Sequence, residues 1–339
     1  MYRSTVRCLS VLVLVSLLPA PTLAAKKIKA KACTVVPQGT PWEQALKGII
    51  KHVRKDTAGR VKVKVYWGGA KGSEQECLAK VKANKLQMLG LTVSGVNSEI
   101  PAFEVLDLPF LWDSVAEADY VLDKYLTGPA TKLLRDKGFV FYQWNENGWH
   151  GIGTKGKFIK SPADAAGLKM RVQPSIVHPL TWNAMGSEPV ALSPNDTADA
   201  LASGKANAFS QTPIYTFAAN WQMHITHYTI SNHIYQPGFI GYSTKFFDAL
   251  EPDIQKALLA NVAEDQAFGR KAVRKLGPQL LENLDSFGIK MYTLTAAEKK
   301  QFSAKAKEIR KAFEAKSATP EVRMFLDAID VGKKAFKKK

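Results

Sequence analysis

The chain has 339 residues, 46% of them hydrophobic and 10% aromatic, and its 47 Lys and Arg against 30 Asp and Glu give a formal net charge of +17. This apolar content excludes wholesale disorder, and three cysteines are too few for a small fold held together by disulfides. One hydrophobic core rarely serves so long a chain, so we expect two lobes.

Residues 1–24 have the layout of a secretory signal peptide. Arg3 and Arg7 supply the positive start, Leu9–Leu18 is an apolar run, and Thr22–Ala24 provides a small-residue cleavage site. The apolar run is too short to span a membrane, and no later stretch reaches the roughly 18 apolar residues that a span needs. We therefore expect export to the periplasm.

Export would place Cys33 and Cys77 in an oxidising compartment, where they can form a disulfide. Sequence spacing does not place two cysteines within reach of each other. Two buried free thiols are therefore the alternative.

Alternating strand and helix patterns make up the first half of the mature chain. The Ser73–Glu76 spacing is that of a capping box, and Thr40 is suited to cap the helix before it. The order of elements predicts an α/β lobe with a mostly parallel sheet, and the polar, Gly-containing segment 145–151 suits a crossing between lobes. Strands are predicted over 27–36, 61–66, 88–93 and 139–144, and helices over 42–57, from 73 onward, and over 115–137.

The second half repeats the alternation and then becomes helical. A long helical pattern extends from Pro252 to Phe287, with a kink predicted at Gly277-Pro278. Strands are predicted over 168–172, 188–191, 206–209, 228–230, 239–243 and 289–294, and helices over 176–185, 195–203, 296–316 and 320–335.

The fold class predicted from these elements is α/β, with two lobes arranged as a clamshell. The first lobe is expected to comprise residues 25–148 and 238–276, and the second 149–237 and 277–295. Terminal helices and a basic tail occupy 296–339.

Six short segments, taken in order, resemble the extracytoplasmic solute-binding proteins of TRAP transporters, the DctP-like family. The resemblance covers essentially all of the mature sequence. It implies a periplasmic-binding-protein clamshell that closes on a ligand, a long helix bracing both lobes, and delivery of the ligand to a membrane permease driven by an ion gradient. The segments are Gly39–Trp42, Gly59–Tyr66, Gly68-Gly69, Leu106–Leu111, Gly167–Val172 and Ala198–Gly204.

The resemblance implies that Arg171 binds a substrate carboxylate, because this position holds the Arg that typically does so in the family. A guanidinium suits the role, since it offers paired donors and keeps its charge. Many members carry a second Arg where this chain has Trp149-His150, and an Asp-Gly-Gln-Glu-Asn-Pro-like segment where it has Asn207–Pro213. The loss of a cation favours a monocarboxylate of apolar character over a dicarboxylate.

Aromatic and amide side chains near the crossing supply further candidates for ligand contact. We expect Trp149, Trp144 and Phe209 to pack against the body of the ligand, and His150 to face it. The other candidates lie at strand ends and turns, where open α/β sheets bind ligands; for each, ordinary core or loop packing is the alternative. They are Gln38, Trp42, Ser94, Gly95, Gln173, Ser175, Gln211, Pro213, Tyr235 and Gln236.

Motifs for catalysis and for metal binding are missing from the sequence. The positive charge favours anionic partners, but it is spread along the chain and accompanies no nucleic-acid-binding motif. The sequence therefore predicts a periplasmic receptor of a TRAP-type system, not an enzyme, with no cofactor, metal or nucleic-acid partner. The alternative is a periplasmic lipid or small-molecule carrier, or a partner-binding protein, that works without a TRAP permease.

Overall fold

The computed structural model describes residues 27–339, so the predicted signal peptide lies outside the described residues. Among residues 27–339, every helix is too short or too polar to cross a membrane. The strands, in chain order, are β1 (Ile28–Cys33), β2 (Val61–Tyr66), β3 (Met88–Thr92), β4 (Phe139–Trp149), β5 (Gly151–Thr154), β6 (Lys169–Val172), β7 (Glu188–Ala191), β8 (Ala208–Gln211), β9 (His227–Ile230), β10 (Tyr235–Ser243) and β11 (Lys290–Thr293).

The helices begin where the sequence provides caps. Thr40 accepts a hydrogen bond from the Glu43 N–H at 3.3 Å, and Ser73 and Glu76 form the predicted capping box. The helices are α1 (Pro41–Asp56), α2 (Glu74–Lys82), α3 (Val115–Val121), α4 (Thr127–Asp136), α5 (Val177–Ala184), α6 (Pro194–Ser203), α7 (Pro213–Ala218), α8 (Thr244–Asp248), α9 (Pro252–Leu258), α10 (Val262–Ser286), α11 (Ala296–Ser303), α12 (Ala306–Lys316) and α13 (Pro320–Phe336).

The first sheet has the strand order β2-β1-β3-β10-β4. Strands β2, β1 and β3 are parallel, as predicted, whereas β10 is antiparallel to both β3 and β4. The reason is topological: the chain leaves this lobe through β4 and returns through β10, so the two strands run in opposite directions. Strands β1 to β4 therefore run in the same direction, as a mostly parallel sheet requires, and β10 is the one strand of this sheet that opposes them.

The second sheet has the order β11-β9-β5-β8-β6-β7. Strands β6, β7 and β8 are parallel, β9 and β11 form a second parallel pair, and β5 between them is antiparallel to both β8 and β9. Each lobe thus has its own sheet, and the prediction of a two-lobed α/β fold is confirmed.

Two strand connections and one helix join the lobes. Only His150 separates β4 of the first sheet from β5 of the second, and residues 231–234 separate β9 from β10. The 25-residue helix α10 packs on α1 and β4 in the first lobe and on α7 and β11 in the second. The predicted long bracing helix is confirmed, and it continues through Pro278. The terminal helices divide between the lobes: α12 packs on α5, and α13 packs on α3.

The helix predicted over 115–137 is interrupted by a π-helical turn, Leu122–Leu126, between α3 and α4. Pro129 lies in the first turn of α4 and has no N–H to donate to the carbonyl of Tyr125. The hydrogen-bond register therefore changes locally at this point.

Cys33, at the end of β1, and Cys77, in α2, form a disulfide with their Cα atoms 6.0 Å apart. Both residues are buried in the core of the first lobe. The bond ties α2 to the sheet and closes a chain segment with a sequence separation of 44.

Removing this disulfide should lower the free energy of unfolding. For a loop of this length the entropic stabilisation is about 4 kcal/mol. The variant carrying Cys33→Ala and Cys77→Ala should therefore unfold at lower urea concentration than the oxidised wild type, and the reduced wild type should shift in the same direction. An unchanged midpoint in both would contradict a stabilising disulfide.

Candidate functional site

The strands that cross between the lobes, β4 to β5 and β9 to β10, have two faces with different chemistry. Successive side chains of a strand point to opposite faces, so Trp149 and His150 diverge. His150 is fully buried and lies in the electrostatic field of Arg171. Trp149 packs instead on Tyr235, with ring centroids 5.2 Å apart, on the face that turns toward α10. The polar face, which contains His150, is the candidate ligand site.

Arg171 is the central cation of this site. It lies on β6, and its side chain is 0% exposed. Its Nε and Nη2 atoms donate to the carbonyl oxygen of Leu192 at 3.2 and 2.8 Å, and its guanidinium carbon lies 4.7 Å from the centroid of the Trp221 ring. Burial lowers the pKa of Arg171 to about 10, which leaves it charged at neutral pH.

The Nη1 group of Arg171 is different, because no side chain or carbonyl in residues 27–339 accepts its hydrogen bonds. Buried donors in folded proteins almost always have an acceptor. A buried guanidinium with one amino group unused is therefore suited to bind an anion in the space between the lobes.

Glu74 approaches the same region from the other lobe. Its carboxylate accepts hydrogen bonds from the Thr92 backbone N–H at 2.7 Å and the Thr92 hydroxyl at 3.0 Å. Burial raises the pKa of Glu74 to about 7, although the Thr92 hydrogen bonds and the Arg171 charge oppose this shift. Only glycine fits at Gly95, since a Cβ there would lie 2.3 Å from the Glu74 carboxyl carbon.

Amide side chains connect the two lobes behind these charges. The Gln236 side-chain amide donates to Gln173 Oε1 at 3.0 Å and to Asp107 Oδ2 at 3.0 Å. Gln173 in turn donates to Gln236 Oε1 at 3.2 Å, and Asn147 donates to the same oxygen at 2.7 Å. Gln236 therefore joins residues of the first lobe, the second lobe and the crossing.

Asp107 is the buried acid of this network. Besides Gln236, its Oδ2 atom accepts a hydrogen bond from Ser94 and pairs with His178 Nε2 at 3.1 Å. The Asp107 and His178 side chains are both 0% exposed. Asp107 lies in the first lobe and His178 lies on α5 of the second, so this pair also links the lobes.

His150 contributes a neutral ring to this site. Its Nδ1 atom lies 3.1 Å from the Ser210 hydroxyl, and its Nε2 atom has no hydrogen-bond partner within the described part of the chain. Burial lowers the pKa of His150 well below its ordinary value, and the neighbouring His178 and His233 lower it further. His150 is therefore uncharged at neutral pH.

The lobes are closed on one another. A Cβ on Gly69 of the first lobe would lie 2.5 Å from Asn195 Nδ2 of the second, so the two lobes touch at the mouth of the cleft. The Tyr215 hydroxyl donates to the Val35 carbonyl across the cleft at 3.4 Å. Between Glu74, Ser94, Gln173 and Ser193 the remaining cavity is about 10 Å³, which is room for about one water molecule. Entry of any larger solute therefore requires the lobes to separate.

The structure brings six of the predicted site residues together on the polar face. Gln211 is also buried, and its side-chain oxygen accepts the Thr212 N–H at 2.7 Å. The six are Ser94, Gly95, His150, Arg171, Gln173 and Gln236.

The other predicted residues lie elsewhere. Trp149 and Pro213 line a pocket on the opposite face, where Trp149 also contacts Tyr235. Gln38 is exposed and donates to Glu43 at 3.3 Å. Ser175 accepts the His178 N–H at 3.1 Å.

Three predicted aromatic residues are packed in the cores. Trp144 packs on Phe103 and Phe141 in the first lobe, and its indole N–H donates to Thr127 at 3.0 Å. Phe209 packs on Trp221 in the second lobe. The Trp42 indole N–H donates to the Glu146 carbonyl at 2.8 Å.

Sequence reasoning missed four members of the polar site, which are Glu74, Asp107, His178 and Asn147. Glu74 was seen only as the first residue of a capped helix. His178 lies in a helix without motif spacing. Asn147 belongs to the polar crossing segment, and this was the only signal that pointed to it.

Comparison with known proteins decides the family. The family model described as "Bacterial extracellular solute-binding protein, family 7", named DctP, matches residues 32–317. The chain belongs to this family. Its members are solute-binding receptors and not enzymes, and the resemblance to TRAP transporter solute-binding proteins is confirmed.

Two relatives and one solved structure show the extent of the similarity. A "Solute-binding protein" of Verminephrobacter eiseniae is 27% identical and aligns over 78% of this chain and 83% of its own. The C4-dicarboxylate-binding periplasmic protein DctP of Rhodobacter capsulatus is 28% identical, over 83% and 85%. The sugar acid-binding protein of Advenella mimigardefordensis, solved in complex with galactonate, superposes with a TM-score of 0.85 at 25% identity and covers 91% of this chain and 99% of its own.

The raised pKa of Glu74 predicts a pH-dependent stability. The folded protein holds this proton more tightly than the unfolded chain, so the contribution to stability is complete below about pH 4.5 and is lost as the pH rises through about 7. Between these limits, ionisation of Glu74 should lower the free energy of unfolding of the wild type by up to about 3 kcal/mol. The Glu74→Gln variant cannot ionise at this position and should not show that decrease, as measured by urea unfolding at several pH values.

Glu282→Gln, an exposed position on α10, is the matched control and should follow the wild type at every pH. If Glu74→Gln and the wild type differ by the same amount at pH 4.5 and pH 8, the buried carboxyl group does not titrate as described.

Proposed function

We propose that this protein is a periplasmic receptor of a TRAP-type transport system that captures a small hydroxylated monocarboxylate on its polar crossing face and delivers it to a membrane permease. The observation that carries the proposal is the buried Arg171, whose Nη1 group has no acceptor among the described residues. Family membership supports the receptor role and the permease partner. The predicted signal peptide supports the periplasmic location.

The balance of charge favours one carboxylate over two. Arg171 is the site's charged donor, since His150 is held neutral. A second carboxylate would lie near Glu74 and Asp107 without a cation to neutralise it, and an unpaired buried charge is costly. The site therefore matches one acid group.

The polar lining favours a ligand that carries hydroxyl groups. Gln173, Gln236 and Asn147 present amides, and Ser94 presents a hydroxyl near Asp107. We propose a hydroxylated ligand and not the apolar one expected from the sequence, because Trp144 and Phe209 are packed in the cores and Trp149 lies on the opposite face.

The relatives include proteins named or solved with a monocarboxylate and with dicarboxylates. The Advenella protein was solved with galactonate, which has one carboxylate and several hydroxyl groups. The Rhodobacter relative is named for C4-dicarboxylates. The neutral His150 supports a monocarboxylate ligand for this chain, and galactonate is the appropriate first probe.

Replacing Arg171 should abolish most of the affinity for galactonate. Truncating one partner of a buried charged pair costs several kcal/mol, so Arg171→Gln should weaken binding at least about 100-fold in isothermal titration calorimetry. Arg323→Gln, on the exposed side of α13, is the matched control and should bind like the wild type. Undiminished binding by a folded Arg171→Gln protein would exclude Arg171 as the anchor.

The charge argument also predicts selectivity between related acids. Galactonate should bind at least about tenfold more tightly than galactarate, the dicarboxylate of the same chain length, since the second carboxylate costs about 1.4 kcal/mol or more. His150→Arg should narrow this difference by adding a cation. Equal affinity of the wild type for both acids would show that the second carboxylate meets no penalty.

A further inference from the structure

A second pocket lies on the opposite face of the crossing from Arg171. It has a volume of about 250 Å³ and is bounded by the crossing strands, the start of α7 and one face of α10. Trp149, Tyr228, Ile230 and Ile214 contribute apolar walls. An apolar cavity of about 150 Å³ suffices to bind benzene, so this pocket has room for roughly ten non-hydrogen atoms.

The pocket is built by both lobes and by the bracing helix. Val115 belongs to the first lobe, and Tyr228 and Ile230 belong to β9 of the second. Residues Val273, Gly277 and Leu281 of α10 line it at helical spacing and therefore form one face of that helix. These side chains lie outside the polar network around Arg171, whereas Asn147 lines the pocket and also donates to Gln236 of that network.

The charges in the wall are already satisfied. Arg274 donates from Nε to Glu146 at 2.8 Å and from Nη1 and Nη2 to the two carboxylate oxygens of Asp119, both at 2.8 Å. The Arg274 guanidinium therefore has its strong acceptors, and Glu146 has its cation. An ionised ligand would find no counter-ion in the pocket, so the pocket suits a neutral molecule.

A backbone hydrogen-bond acceptor without a helical donor lies in this wall. Pro278 has no backbone N–H, so the carbonyl oxygen of Arg274 lacks the donor that an uninterrupted helix would supply four residues later. Both residues line the pocket. A ligand with a single N–H or O–H group can satisfy this carbonyl.

From this geometry we infer that this pocket, which we call the hinge pocket, is a second binding site. Its ligand is a neutral aromatic molecule of about indole size that carries one hydrogen-bond donor. The site is distinct from the acid site proposed above and shares one lining residue with it, Asn147. Its ligand contacts both lobes and α10.

Gly277 provides the test variant. A Cβ built there meets no described atom within 4 Å, and its helix face lines the pocket, so Gly277→Leu fills the cavity without displacing the backbone. Gly48→Leu is the matched control, because Gly48 also lies in a helix with open space at its Cβ but away from the pocket. The probe is 5-fluoroindole, followed by fluorine NMR with the mature protein.

We expect saturable binding to the wild type, at least tenfold weaker binding to Gly277→Leu, and binding within twofold of the wild type for Gly48→Leu. Leu281→Phe, which enlarges a second wall residue, should also weaken binding and serves if Gly277→Leu does not fold. The anionic analogue 5-fluoroindole-2-carboxylate should bind at least tenfold more weakly than 5-fluoroindole.

Three results would overturn the inference. They are the absence of saturable binding to the wild type, equal binding by the pocket-filling variants and the control, and tighter or equal binding of the anionic analogue. None of these results depends on whether the protein binds galactonate.

Discussion

The architecture of the site depends on the burial of one guanidinium. Removing a charge from water costs several kcal/mol unless partners replace the lost hydration. For Arg171 the partners are the Leu192 carbonyl, the face of Trp221 and the field of Glu74, and they leave one amino group unused. In the function that we propose, an incoming carboxylate completes this environment, so ligand binding and stabilisation of the closed cleft follow from the same interaction.

The strand crossing divides the hinge into a polar and an apolar compartment. Because His150 is the only residue between β4 and β5, strand alternation sends it toward Arg171 and sends Trp149 toward α10. The polar side contains amides and charges that bridge the lobes. The apolar side contains the hinge pocket, whose walls also come from both lobes. Movement of the lobes therefore changes both compartments.

Much of the fold follows from local patterns in the sequence. Alternation predicted β2, capping residues placed α1 and α2, and the order of strands and helices indicated two α/β lobes. The antiparallel pairing of β4 with β10 was not predictable locally, since it depends on where the chain returns after the second lobe. The π-helical turn before Pro129 likewise reflects the loss of one backbone donor within an otherwise helical pattern.

The site was predictable only in part. Motif position indicated Arg171, and strand ends indicated Ser94 and Gln173. Trp144 and Phe209 were expected at the ligand because of their place near the crossing and in the segment 207–213, but both are packed in the cores. Their burial depends on which face of a strand meets the core, and this requires the register of the whole sheet. Glu74 and His178 reach the site from helices whose direction is set by tertiary packing.

The most direct test of the account is a crystal structure of the mature protein grown with galactonate. We expect closed lobes and a carboxylate within hydrogen-bonding distance of Arg171 Nη1, on the His150 face of the crossing. A carboxylate bound in the hinge pocket or at surface lysines, with Nη1 of Arg171 contacting no ligand atom, would contradict it.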